Sequence, residues 1–158
     1  MQAVLFVCSG NTCRSPMAEA IARHWIDRGL LGDRRDVFIA SAGTSAANGL
    51  RPTAETVAAL AARGIEHDSV SKPLTADMIR KADVVFCMTS GHVAAAQGLL
   101  GDDDGDGNGK ITRLDPDADI EDPLGSDQGA YDSLAERFMH LIPLRLKGVL
   151  GDEDRAGD

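Results

Sequence analysis

The chain has 158 residues, 43% of them hydrophobic, with a formal net charge of −9 and a pI near 4.8. That length fits one domain around one core, and so acidic a balance argues against nucleic acid or an anionic membrane as partner. No apolar run approaches the ~20 residues of a membrane span, and no signal peptide is expected ahead of the first strand.

Ala3–Val7 is a continuous apolar run, as expected of a strand covered on both faces. A polar loop follows, from Cys8 to Ser15. A helix is predicted from Ser15 to Gly29, with Ser15 as N-cap and Pro16 at the first helical position. Ala18, Ile21, Ala22, Trp25 and Ile26 recur at helical spacing, and Gly29 stops the helix. Arg34-Arg35-Asp36 reads as a polar turn, Val37–Ala40 as the second strand, and Ser45–Arg51 as a loop of small residues. Pro52–Arg63 predicts a second helix with Val57, Leu60 and Ala61 facing inward. After an irregular stretch, Thr75 caps a short helix to Lys81. Ala82–Met88 is the third strand, and Thr89-Ser90 caps a helix to about Leu100.

Residues 101–109 form an acidic, glycine-rich insert. Asp102, Asp104, Asp106 and Gly107 fit the first half of a calcium loop, but Arg113 stands where a bidentate Glu is needed, so a solvated loop is expected. Ile111–Leu114 predicts a short fourth strand. Ala130–Leu150 predicts a long helix that Pro143 kinks or interrupts. Residues 151–158 are an acidic tail, expected to be disordered. Alternating strands and helices imply an α/β fold, a doubly wound sheet in three α/β/α layers, as a single domain over residues 1–150. The three cysteines, Cys8, Cys13 and Cys87, make no disulfide framework and point to a reducing compartment, the cytoplasm.

In such sheets ligands bind beyond the carboxyl ends of the strands, which is where Cys8 to Ser15 falls. Free backbone N–H groups and a helix dipole make an anion site there. Cys8 opens the loop, where a helix N-terminus and a nearby cation favour a thiolate. Arg14 closes it with a planar fork suited to a phosphate-type oxyanion. Asn11 tolerates the left-handed backbone that a tight anion nest requires. The amides of Ser9, Gly10, Asn11, Thr12 and Cys13, with Arg14, can hold the equatorial oxygens of a phosphoryl group. Phosphoryl transfer through a phosphocysteine follows from a nucleophile and a phosphate clamp in one loop. The acid must come from elsewhere, and two Asp-Pro pairs compete, Asp115-Pro116 and Asp122-Pro123. The four histidines show no paired ligand spacing, so neither metal nor cofactor is expected.

The string Val7-Cys8-Ser9-Gly10-Asn11-Thr12-Cys13-Arg14-Ser15-Pro16-Met17-Ala18-Glu19 resembles the signature of the low-molecular-weight protein phosphatases. The resemblance covers nearly the whole chain, weakest in 101–109 and after Leu150. It implies a four-stranded parallel sheet of flavodoxin-like winding and hydrolysis of phosphorylated protein side chains. It also implies that Ser15 donates to the Cys8 sulfur. Asp122, followed by Leu124-Gly125-Ser126 and Tyr131, is then the acid that protonates the leaving group and activates water. Pro123 removes a backbone donor that would otherwise bond its carboxylate. Cys13 is a second thiol able to trap an oxidised Cys8 as a disulfide, whereas Cys87 reads as core.

Thr12 stands where phosphotyrosine readers carry a bulky aliphatic residue, and neither Ala47 nor Leu124 supplies the aromatic wall that a phenyl ring wants. These features resemble the bacterial protein-arginine phosphatase branch, although that branch tends to carry an aromatic at Leu124. Phosphoarginine is therefore the favoured substrate and phosphotyrosine the alternative. Arsenate reduction needs a cysteine relay that Cys87 cannot complete. A non-catalytic phosphate-binding module has no use for Cys8, Arg14 and an acid together. The expected partners are phosphorylated proteins, met by a monomer.

Overall fold

A computed structural model describes residues 2–33, 36–101 and 109–151. The predicted turn at Arg34-Arg35, residues 102–108 of the insert with their calcium-like pattern, and residues 152–158 of the tail lie outside the described residues. The strands are β1 (Gln2–Cys8), β2 (Val37–Gly43), β3 (Val84–Cys87) and β4 (Ile111–Arg113). The helices are α1 (Arg14–Asp27), α2 (Ala54–Ala61), α3 (Ala76–Lys81), α4 (Ser90–Leu100) and α5 (Gln128–Leu150). All strand pairs are parallel, in the order β2-β1-β3-β4. β1 thus connects outward to β2 while its other neighbour is β3, and the winding reverses between β1 and β3. Open sheets bind ligands at that point.

β1 alternates between two cores, as a strand buried on both faces must. Val4, Phe6 and Cys8 point into a cluster built from α1, α5 and Leu60 of α2. Leu5 and Val7 point into a second cluster with Ile79 of α3 and Ala96 and Leu100 of α4. Burying each such Val, Leu, Ile or Phe contributes about 1.5–3 kcal/mol. The first core also holds stacked rings of Phe6 and Phe86, 5.7 Å between centroids. Trp25 is half-buried against it.

The structure corrects three local expectations, on Ser15, on the inward face of α2 and on an interruption at Pro143. Ser15 does not cap α1. Cys13 occupies the cap position without a side-chain cap bond, and the Ser15 hydroxyl is drawn to Cys8 instead. Pro16 still falls in the first turn, where its missing N–H costs nothing. Val57 and Ala61 face solvent, because α2 packs on α1 and α5 rather than on the sheet and buries only Thr56, Ala59 and Leu60. β2 forms where expected, and as an edge strand it leaves Phe38 53% exposed. Of the two outcomes expected at Pro143, a kink or an interruption, the interruption is ruled out, since α5 runs unbroken past it to Leu150. Phe138, Ile142 and Leu146 are fully buried on either side of it, and that packed face holds the helix through the lost hydrogen bond.

Candidate active site

The loop from Cys8 to Arg14 is held from outside by its carbonyls and side chains. Thr44 N–H donates to Cys8 O at 2.9 Å, Ser45 N–H to Ser9 O at 3.0 Å, and Thr53 N–H to Thr12 O at 2.9 Å. Among the described residues, the amides of 10–15 donate to no protein acceptor. They are the free donors of an anion nest at the start of α1. β2 comes so close that a β-carbon on Gly43 would sit 2.3 Å from Ser9 O, so only glycine fits there.

Asn11 is the sole non-glycine among the described residues with positive φ, at 57°. Its side-chain N–H groups donate to Ser15 Oγ at 2.7 Å and Ser41 Oγ at 3.0 Å. Its Oδ1 accepts from the Lys72 amide at 3.1 Å. These bonds set the direction of the rest. Ser15 Oγ already accepts from Asn11, so its proton is free for Cys8 Sγ, 2.9 Å away. Ser41 likewise donates to Glu19 Oε1 at 2.9 Å. Glu19 is 1% exposed, and its other oxygen lies 3.3 Å from both Arg23 and His67. Burial holds the His67 imidazole below its ordinary value, against the upward pull of the Glu19 carboxylate.

Arg14 is buried, with Nη1 donating to Ile120 O at 2.8 Å. Its Nη2 is 3.5 Å from Ser9 Oγ and 3.7 Å from Asp122 Oδ2. Cys8, Gly10, Asn11, Thr12, Cys13, Arg14, Asp122 and Leu124 line one pocket. The structure thus brings the expected site residues together: Ser15 Oγ sits 2.9 Å from Cys8 Sγ, and Ser9 Oγ lies 3.5 Å from Arg14 Nη2, although neither serine lines the pocket. The Asp122 carboxylate is not free of backbone donors as Pro123 suggests. Leu124 N–H donates to its Oδ1 at 3.0 Å, which leaves Oδ2 toward Arg14. Asp115 is elsewhere, paired with Arg137 at 2.5 Å.

Cys13 Sγ lies 3.7 Å from Thr53 Oγ1 and from Tyr131 OH. Burial, then the bond to Cys13, push the Tyr131 phenol up to about 12. Burial also pushes the Cys87 thiol up to about 12, where it is inert. Among the described residues, no group of three or more His, Cys, Asp or Glu could hold a metal ion.

The sequence reading missed His92, whose Nε2 is 2.8 Å from Ser9 Oγ. Burial, then the Arg14 guanidinium, hold it below its ordinary value, against the raising pull of Asp119 and Asp122. Its position just past β3, next to β1 in the sheet, was the available signal.

The family described as low molecular weight phosphotyrosine protein phosphatase matches residues 3–147. The chain belongs to that family. This family member is 40% identical over 89 residues to a protein-arginine-phosphatase of Bacillus subtilis, covering 56% of this chain and 57% of that protein. It is 40% identical over 91 residues to a low molecular weight phosphotyrosine protein phosphatase of Schizosaccharomyces pombe, covering 57% and 58%. The phosphatase-family chain therefore spans somewhat over half the length of these two curated relatives. Its fold superposes with a TM-score of 0.85 and 30% identity on the YwlE arginine phosphatase from Geobacillus stearothermophilus, covering 100% of this chain and 98% of that one.

Proposed function

We propose that the chain hydrolyses phosphorylated protein side chains through a phosphocysteine, with phosphoarginine as the favoured substrate. The observation that carries this reading is the convergence of Cys8, Arg14 and Asp122 on one pocket, with Ser15 hydrogen-bonded to the Cys8 sulfur. The Cys8 thiolate attacks phosphorus in line, forming an S–P bond as the P–N bond of phosphoarginine breaks. Asp122 gives its proton to the departing guanidinium nitrogen. The Arg14 fork and the amides of residues 9–15 hold the three equatorial oxygens throughout. Water then attacks phosphorus, Asp122 takes its proton, and phosphate leaves a regenerated thiolate.

The choice of phosphoarginine rests on the lining. No aromatic side chain is among the pocket residues, and the one tyrosine near it, Tyr131, is buried beneath Cys13. Thr12 and Leu124 supply the walls. The Asp122 carboxylate can pair with a guanidinium as it cannot with a phenol. Phosphotyrosine is the second reading, favoured by the equal identity to the fission-yeast relative. An arsenate reductase relay has no support from Cys87, which burial keeps protonated.

Cys13 is the resolving thiol of this reading, and the three free cysteines suit a cytoplasmic setting. No helix among the described residues is long and apolar enough to cross a membrane. The deciding experiment is turnover of phosphoarginine and phosphotyrosine peptides of one backbone sequence, side by side, with chelator present. A kcat/KM higher for phosphotyrosine would reverse the substrate choice. No turnover of either would overturn the enzyme.

A further inference from the structure

α4 begins where β3 ends, and its first turn carries a histidine that the reaction above leaves without a task. His92 is 7% exposed. Its Nε2 lies 2.8 Å from Ser9 Oγ, and its Nδ1 lies 3.1 Å from Thr89 Oγ1. The backbone N–H of His92 donates to the same Thr89 oxygen at 3.2 Å. The ring is therefore fixed at both nitrogens. Ser9 directly follows the nucleophile, and its Oγ is also 3.5 Å from Arg14 Nη2. One hydroxyl is shared between the imidazole and the guanidinium that closes the phosphate loop.

We propose that His92 is a positioning residue of the phosphate site, holding the Ser9 hydroxyl and through it one arm of the Arg14 fork. This rests on the reading of residues 8–15 as a phosphate site. The two arms of Arg14 are anchored unequally. Nη1 has the Ile120 carbonyl at 2.8 Å. Nη2 has Ser9 Oγ at 3.5 Å and the Asp122 carboxylate at 3.7 Å. Asp122 gains and loses a proton in each cycle of the proposed reaction, so its pull on Arg14 changes. Ser9 is a partner whose charge does not change. A guanidinium that must bond two phosphate oxygens at once depends on the angle of its plane.

The charges around the ring make its coupling measurable. Arg14 faces it from α1, and Asp119 and Asp122 face it from the loop after β4. In the free protein the guanidinium and burial oppose a second ring proton. A phosphate dianion in the loop neutralises that repulsion, so the ring takes a proton more readily when phosphate is bound. A ring not bonded to the phosphate loop through Ser9 would respond far less.

The test uses inorganic phosphate as the probe, with binding read by calorimetry and by competitive inhibition of turnover. His92→Leu is expected to weaken phosphate about tenfold, the loss of one hydrogen bond to a charged group's support. His92→Gln, whose amide can reach Ser9, is expected to restore most of it. Ser9→Ala should lose as much as His92→Leu, and the double variant no more than either. In the unaltered protein, the ring signals of His92 should titrate at higher pH once phosphate is added.

The inference is overturned if His92→Leu lowers the melting temperature yet binds phosphate as before, or if the ring titrates alike with and without phosphate. Should His92→Leu not fold, Ser9→Ala and the ring titration still decide. Turnover that persists while these readouts stay flat sinks this inference alone. A protein that binds no phosphate at all sinks the phosphate-site reading with it.

Discussion

Around Cys8 the polar groups are buried and partnered, whereas around Asp122 the chain lies open to solvent. Asn11, Arg14 and Ser15 are at most 5% exposed, while the Asp122 side chain is 44% exposed and Leu124 is 63% exposed. The phosphate loop is tied by many bonds to the strand and loops beside it. The acid loop is pinned at fewer points. Ile120 N–H donates to Met88 O at 2.8 Å, and Asp119 accepts from the Ser90 amide at 2.9 Å and from Arg113 at 3.1 Å. The contrast matches the tasks proposed for each. Donors that stabilise developing charge must not reorganise during reaction, whereas an acid that also activates water needs contact with solvent.

The largest break in this comparison is Cys8→Ser. Turnover should fall by about 10⁴-fold or more, as for other nucleophile deletions, with the protein still folded. A variant that retained turnover would remove Cys8 from the reaction. On the acid side, Asp122→Asn should cost about 10²–10³-fold, with phosphocysteine accumulating as a trapped intermediate in rapid-quench experiments. Asp115→Asn is the control. It loses a half-exposed ion pair with Arg137, worth about 1 kcal/mol or less, and should keep its turnover. If the two variants exchanged behaviour, the acid would have to be reassigned.

Asn11→Ala separates the two regions by stability. It removes two buried hydrogen bonds and one part-buried one and leaves a residue that disfavours positive φ. A loss of about 2–4 kcal/mol is expected in denaturant melts. Leu124→Ala, on the exposed side, should change stability by about 0.5 kcal/mol or less. Thr12→Ile is subtler. It should shift the phosphoarginine-to-phosphotyrosine ratio of kcat/KM by about tenfold toward phosphotyrosine, and an unmoved ratio would take Thr12 out of specificity.

The smallest effect is in pH. His67 and His92 both titrate below their ordinary 6.5 in the folded chain, with burial the leading cause. The unfolded chain therefore binds their protons first. Stability should hold above about pH 6.5 and decline as pH falls from there toward their folded values. Melting temperature measured from pH 8 to pH 5 checks the sign, and a rise on acidification would contradict it.

The elements and the nucleophile loop were legible because their signals are local. Thr75, Thr89 and Gly29 mark helix ends, and Cys8 to Ser15 is contiguous. Asp122 was singled out by its Pro and by resemblance, and it does lie at the pocket beside Arg14. His92, Ser41, Glu19 and His67 were not found, because only the parallel pairing of β1 with β2 and β3 brings their surroundings to the loop. Inward faces also failed where the neighbour was misjudged. Val57 has the spacing of a core residue, but α2 lies on α1 and α5 rather than on the sheet.

The order of parts along the chain bears on how the protein is made. Cys8, Asn11 and Ser15 precede β2 and Lys72, which complete their bonding, by only a few dozen residues. The Ile120 carbonyl that anchors Arg14, and the Asp122 carboxylate, emerge much later, just before α5 docks on α1. A growing chain on the ribosome therefore carries the thiol long before the proposed acid. Catalytic competence would follow only once α5 has docked, which makes turnover a sensitive report that this helix has found its place.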